Sequence, residues 1–175
     1  MSTLKFQVDS QDHIQGNADA SATLVEYGDY QCSDCSRAHV LVKEIQAHFE
    51  NRLRFVFRNF PLTKIHTEAQ SAAEVAEFAD RFGKFWEMHD LLFENQKTLG
   101  EELYSALARK LGLSTDDLQT ALANKTFADR VRADFIGGVR SGVNGTPSFF
   151  INGLRYDGPM DYASMVQAIE NALES

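Results

Sequence analysis

Leu24-Val25-Glu26-Tyr27-Gly28-Asp29-Tyr30-Gln31-Cys32-Ser33-Asp34-Cys35 carries more structural information than any other stretch of this chain. An apolar run reads as a short buried strand, a glycine-containing turn follows, and Cys-x-x-Cys opens a helix. Ala38, Val42, Ile45 and Phe49 then recur at the spacing of one helical face. Carried backwards, that stripe passes through Cys35, which is therefore expected to face the core. Cys32, one turn earlier, stands where the helix leaves the loop.

A helix's first turn has unpaired N–H groups and the positive end of the macrodipole. Both favour a thiolate, the nucleophile in disulfide exchange. Cys32 is thus the natural attacking sulfur and Cys35 the natural resolving one. A structural disulfide across so short a loop would contribute only about 2 kcal/mol. A structural zinc site needs four ligands. With no further cysteine, and only His39 nearby, one ligand would be missing. A redox pair is the expected reading, and no metal is expected at it.

The 175 residues suit one domain with a real core. A formal net charge of −8 argues against nucleic acid and anionic membrane surfaces as partners. No apolar run has the length of a transmembrane helix. Met1 to Val8 lacks the features of a signal peptide, so a cytoplasmic location is expected. A mature periplasmic chain with an added Met1 would read the same way. In a reducing cytosol a lone cysteine pair points to catalysis or metal binding rather than to a structural bond.

Along the chain, residues 4–8 alternate as an edge strand would. His13 to Ala22 reads as a polar lead-in with His13 solvated. Thr23 to Tyr27 is the central strand, and the cysteine helix runs to Phe49. The stretch Leu53 to Pro61 alternates as a second strand, with Pro61 ending it. Strand, helix and strand together make a βαβ unit with a parallel pair. From His66 to Gly142 helical spacing dominates: Ala72, Val75, Ala79 and Phe82, then Phe85, His89 and Leu92, then Leu103, Leu107 and Leu111. Ser114 precedes Leu118 as a helix cap, and Gly137-Gly138 predicts close packing or a bend. Four or five short helices are expected. His39, His48, His66 and His89 read as structural or solvated, and Trp86 as core. No glycine-rich phosphate loop follows a strand. Asn152-Gly153 predicts a hairpin, and Asp161 to Leu173 a closing helix.

This order resembles the DsbA-like thiol–disulfide oxidoreductases of the thioredoxin superfamily. The specific matches are Val25 to Cys32 and Gly145-Thr146-Pro147-Ser148-Phe149-Phe150-Ile151-Asn152-Gly153. The resemblance implies an α/β thioredoxin fold with an inserted all-helical domain. Its boundaries would be 1–63 for the first thioredoxin-like part, 64–142 for the insertion and 143–175 for the second part. It implies a cis Thr146–Pro147 bond facing the cysteines, with Thr146 offering backbone hydrogen bonds to a substrate peptide. Glu26 would be the buried acid that takes the Cys35 proton; strand alternation also puts it on the face of Leu24.

Ser33 and Asp34 stand where such oxidants often carry Pro and then His or an aromatic residue. An Asp34 charge near Cys32 opposes the helix dipole by about 3 kcal/mol before screening, so a weaker oxidant is expected. The partners implied are protein or peptide thiols and disulfides, with a separate protein to recycle the pair. No cofactor is required, because the electrons reside in the cysteines. The alternative is a peptide-binding or chaperone-like module on the same fold with little redox activity. A glutathione-dependent isomerase is disfavoured, since such relatives often carry Ser in place of one Cys.

Overall fold

The computed structural model describes residues 2–175. The central strand of the quoted stretch is β2 (Ala22–Gly28), buried along its whole length. It runs parallel to β3 (Leu53–Asn59) and antiparallel to β4 (Ser148–Ile151), which pairs with β5 (Leu154–Tyr156). With β1 (His13–Gly16) antiparallel on the far edge of β3, the sheet order is β1-β3-β2-β4-β5. Burial on both faces explains why β2 reads as a continuous apolar run.

Strand alternation splits the core in two. Leu24, Phe55, Phe57, Phe149 and Ile151 face α1 (Ser33–Phe49) and α7 (Tyr162–Glu174). Val25, Tyr27, Val56 and Phe150 face the other way, with Phe60 and Phe135. Between β3 and β4 the chain forms α2 (Ala69–Asp80), α3 (Phe85–Glu94), α4 (Glu101–Lys110), α5 (Thr115–Ala123) and α6 (Ala128–Arg140). Ser114 caps α5, its hydroxyl accepting from the Asp117 amide at 3.1 Å. Gly137 and Gly138 leave α6 unbroken and let it lie against Tyr27 and Phe60. At the hairpin tip Asn152 and Gly153 take φ of 47° and 83°, the left-handed pair that a tight two-residue turn requires.

Three expectations are corrected. Residues 4–8 form no strand; the N-terminal segment bridges only at Thr3 to Leu154, and Leu4 donates to the Gly153 carbonyl. His13 is not solvated but 6% exposed on β1, stacked on Phe85 at 3.6 Å with Nε2 2.7 Å from a Glu77 oxygen. A helical partner from the insertion covers this edge, which local polarity does not reveal. Phe82 lies past the end of α2 and is exposed.

Candidate active site

Asp29 shapes the loop between β2 and α1. Its buried carboxylate accepts from the Gln31 amide at 2.8 Å and the Leu62 amide at 2.9 Å, and lies 2.8 Å from His66 Nδ1. Its carbonyl accepts from the Cys32 amide. Gln96, in a short 3-10 turn after α3, donates to the carbonyls of both Tyr30 and Cys32, at 2.9 and 2.7 Å. The Gln31 side chain accepts from the Glu68 amide at 2.7 Å. The cysteine loop is thus clamped by the helical block. Asp29 lies within the stretch quoted at the outset, and the turn that it closes was a readable signal. Gln96 lies far along the chain in no motif, and only the fold brings it here.

Cys32 is the N-cap of α1 and 8% exposed; Cys35, one turn on, is sealed, and both are free thiols. As a thiol, Cys32 donates to the Thr146 carbonyl at 3.5 Å. Its pKa falls to about 5, chiefly because the Cys35 thiol donates to it. The backbone N–H groups of Cys35 and Asp34 add to this, against partial burial. Burial pushes the Cys35 thiol up, and donation to Cys32 and the nearby Glu26 push it further. One sulfur is therefore an anion at neutral pH, and its neighbour keeps its proton.

Glu26 is 2% exposed, between Phe57 and Phe149 in the sheet, and its Oε1 takes no hydrogen bond. Burial first, and the Cys32 charge second, raise its pKa to about 8. Gly28 leaves room beside it: a Cβ there would stand 2.5 Å from the Phe57 ring and 3.0 Å from Glu26 Oε1.

Thr146–Pro147 is a cis peptide bond. Pro147 lines a groove of about 390 Å³ together with Thr146, Asp34, Arg37, Arg155 and Tyr156. The proline ring offers no ligand to a metal. Ser33 is exposed. Asp34 is turned outward and paired with Arg37, so its charge is partly neutralised rather than aimed at Cys32.

A family model described as thioredoxin matches residues 9–171. Curated relatives include the Na(+)/H(+) antiporter NhaA 1 of Salinispora arenicola, 41% identical over 92% of this chain and 24% of that protein. The antiporter NhaA of Nitrosospira multiformis is 41% identical over 94% of this chain and 26% of its own length. The chain thus spans about a quarter of the length of these relatives. No helix among the described residues is long and apolar enough to cross a membrane.

Among solved structures, oxidised BdbD from Bacillus subtilis superposes with a TM-score of 0.89 at 24% identity, covering 100% of both chains. A thioredoxin-like oxidoreductase from Silicibacter pomeroyi gives 0.81 at 27% identity over 95% of each chain. Wolbachia pipientis α-DsbA1 gives 0.84 at 18% identity, over 95% of this chain and 93% of that one. With its helical block set between β3 and β4 as in DsbA-like folds, and its sequence matched almost end to end, the chain belongs to the thioredoxin family.

Proposed function

We propose that the protein is a thiol–disulfide oxidoreductase acting on protein or peptide thiols and disulfides. The observation that carries this is Cys32 at the N-cap of α1, its sulfur 3.5 Å from the carbonyl that precedes the cis proline and one turn before the sealed Cys35. In the reducing direction the Cys32 thiolate attacks a substrate disulfide, forming a mixed disulfide and releasing one substrate thiolate. Cys35 then loses its proton to Glu26 and attacks Cys32 Sγ. The second substrate thiolate leaves, and Cys32 and Cys35 are joined. Oxidation of a substrate dithiol is the reverse.

The coupling between Cys32 and Glu26 sets the order. While Cys32 is anionic, Glu26 holds its own proton at pH 7. Once Cys32 is tied in the mixed disulfide its charge is gone, the Glu26 pKa drops, and the carboxylate becomes available as a base. A substrate peptide in the groove would pair with the Thr146 backbone as an added strand.

A Cys32 pKa of about 5 lies between those of thioredoxin, about 7, and DsbA, about 3.5. The reduced form is therefore stabilised less than in a strong oxidant. The expected potential falls between about −270 and about −120 mV, in the range that suits an isomerase or mild oxidant. Asp34 contributes to the weaker poise only so far as Arg37 leaves its charge uncompensated. In the longer antiporter-named relatives the matched quarter is this same module, and antiport itself is not assigned to this chain.

Alkylation of the reduced protein across pH, with equilibration against defined glutathione mixtures, tests the reading. Cys32 should react with a midpoint near pH 5, and Asp34→His should lower that midpoint and raise the potential. A thiol inert at pH 6–7 would instead support a peptide-binding module with little redox activity.

A further inference from the structure

His39, one turn past Cys35 on α1, meets His89 and Asp90 of α3. One ring nitrogen from each histidine and one carboxylate oxygen lie within 4.8 Å of one another. We propose that these three side chains bind a divalent transition-metal ion of the zinc, nickel or copper class, tying the active-site helix to the helical block.

His89 is 3% exposed, and its Nδ1 lies 2.8 Å from the Tyr30 hydroxyl. That leaves Nε2 as the nitrogen to ligate. Metal-binding histidines are usually held this way, by a hydrogen bond at the other ring nitrogen. Phe57, Trp86 and Phe93 wall the ring in and fix its plane. His39 stacks on Phe93 at 5.0 Å, with Nε2 3.7 Å from Asp90 Oδ1.

Asp90, its side chain 29% exposed, would be the carboxylate ligand, and the cation that now faces it is the Lys43 ammonium. Lys43 bonds Oδ2 at 3.0 Å, with its nitrogen 2.9 Å from Oδ1. Its side chain is 43% exposed and free to swing into solvent, so it acts as a competitor for the ion.

The spacing fits the ion class. With metal–nitrogen bonds of about 2.0–2.1 Å, two imidazoles on one tetrahedral ion have ring centroids about 5 Å apart. Here the His39 and His89 centroids are 5.4 Å apart, with planes at 62°. Ligand atoms on such an ion sit about 3.4 Å apart, so the triangle needs only side-chain adjustment to close. Two nitrogens and one carboxylate favour zinc, nickel or copper over calcium or magnesium, which prefer oxygen. A second cluster, His13, Glu77 and Asp80, is as closely set but offers a single nitrogen, and its Glu77 oxygen is already engaged by His13 and by the Asn59 side-chain amide.

The test uses the full chain with Cys32 and Cys35 oxidised to the disulfide, so that thiolates cannot ligate and the outcome is independent of redox activity. Zn²⁺ is titrated by calorimetry, and Cu²⁺ is bound for electron paramagnetic resonance. One ion per chain is expected, with two-nitrogen coupling in the copper spectrum. His39→Ala and Asp90→Ala should each weaken zinc binding at least tenfold, the scale on which even outer partners of a metal site act. Lys43→Met, at a half-exposed position where folding is not at stake, should tighten it severalfold. Absence of binding to the oxidised protein, or binding indifferent to all three substitutions, would overturn the proposal.

Discussion

Glu26 is ionised in the unfolded chain at pH 7 and largely neutral in the folded one, where its pKa is about 8. A group whose pKa is raised on folding leaves stability intact below its unfolded value, 4.5, and erodes it as pH climbs to the folded value. At pH 7 the cost is about 3 kcal/mol. Glu26→Leu should therefore stabilise the reduced protein by roughly that amount at pH 7 relative to pH 4. Urea unfolding at pH 4, 7 and 9 measures it. The gain should be smaller in the disulfide form, where Cys32 bears no charge, and the same variant should slow the step in which Cys35 attacks. Cys32 has the opposite sign: its lowered pKa supports the folded reduced chain above about pH 9, and that support fades as pH falls through about 5. The positions of Cys32 and Cys35 were legible because helical periodicity fixes which turn faces inward. The buried setting of Glu26 was legible because alternation fixes its face. The Asp34–Arg37 pair was also readable, from i,i+3 spacing alone, and it tempers the field that an isolated Asp34 would exert.

Among the elements, α6 sets two neighbouring glycines against different surroundings. Replacing a mid-helix glycine by alanine gains about 1 kcal/mol of helix propensity. At Gly138 the new methyl group would meet the buried Phe60 ring at 2.7 Å and Tyr27 at 3.0 Å. Gly138→Ala is thus expected to lose about 1–3 kcal/mol net. At Gly137 the nearest atom, 3.3 Å away, belongs to the half-exposed Phe6 ring, which can yield. Gly137→Ala should be neutral or slightly stabilising, and guanidinium denaturation of the pair separates the two. The buried elements β2, α1 and β3 were legible because apolar periodicity is strong where both faces are covered. β1 was not, since His13, Gln15 and Gly16 look polar, while the groups that cover the strand, Glu77 at His13 and Trp86 at the Ile14 carbonyl, come from α2 and α3. Leu4 to Val8 misled for a related reason: period-two alternation specifies a face but supplies no partner strand, and β1 already occupies the free edge of β3.

Across the whole molecule, the reactive loop belongs to one part of the chain and much of its support to another. Gln96, His66 and Glu68 reach it from the segment after β3. Gln96→Ala should leave the fold intact and speed amide exchange from Gln31 through Cys35 about tenfold or more, since each lost clamp bond is worth about 1 kcal/mol or more. Mass spectrometry of exchanged peptides would show it, and an unchanged loop would mean that Asp29 suffices. Such long-range clamps carry no local signature, which is why the cysteines could be located and their restraints could not. The sheet order has a further consequence during synthesis. The strand that brings the Thr146 carbonyl to Cys32 leaves the ribosome 114 residues after that cysteine, and it must insert beside β2 with the helical block already synthesised between them. A nascent chain therefore carries its thiols well before it carries their docking ledge. Until that strand docks, nothing holds a carbonyl opposite Cys32.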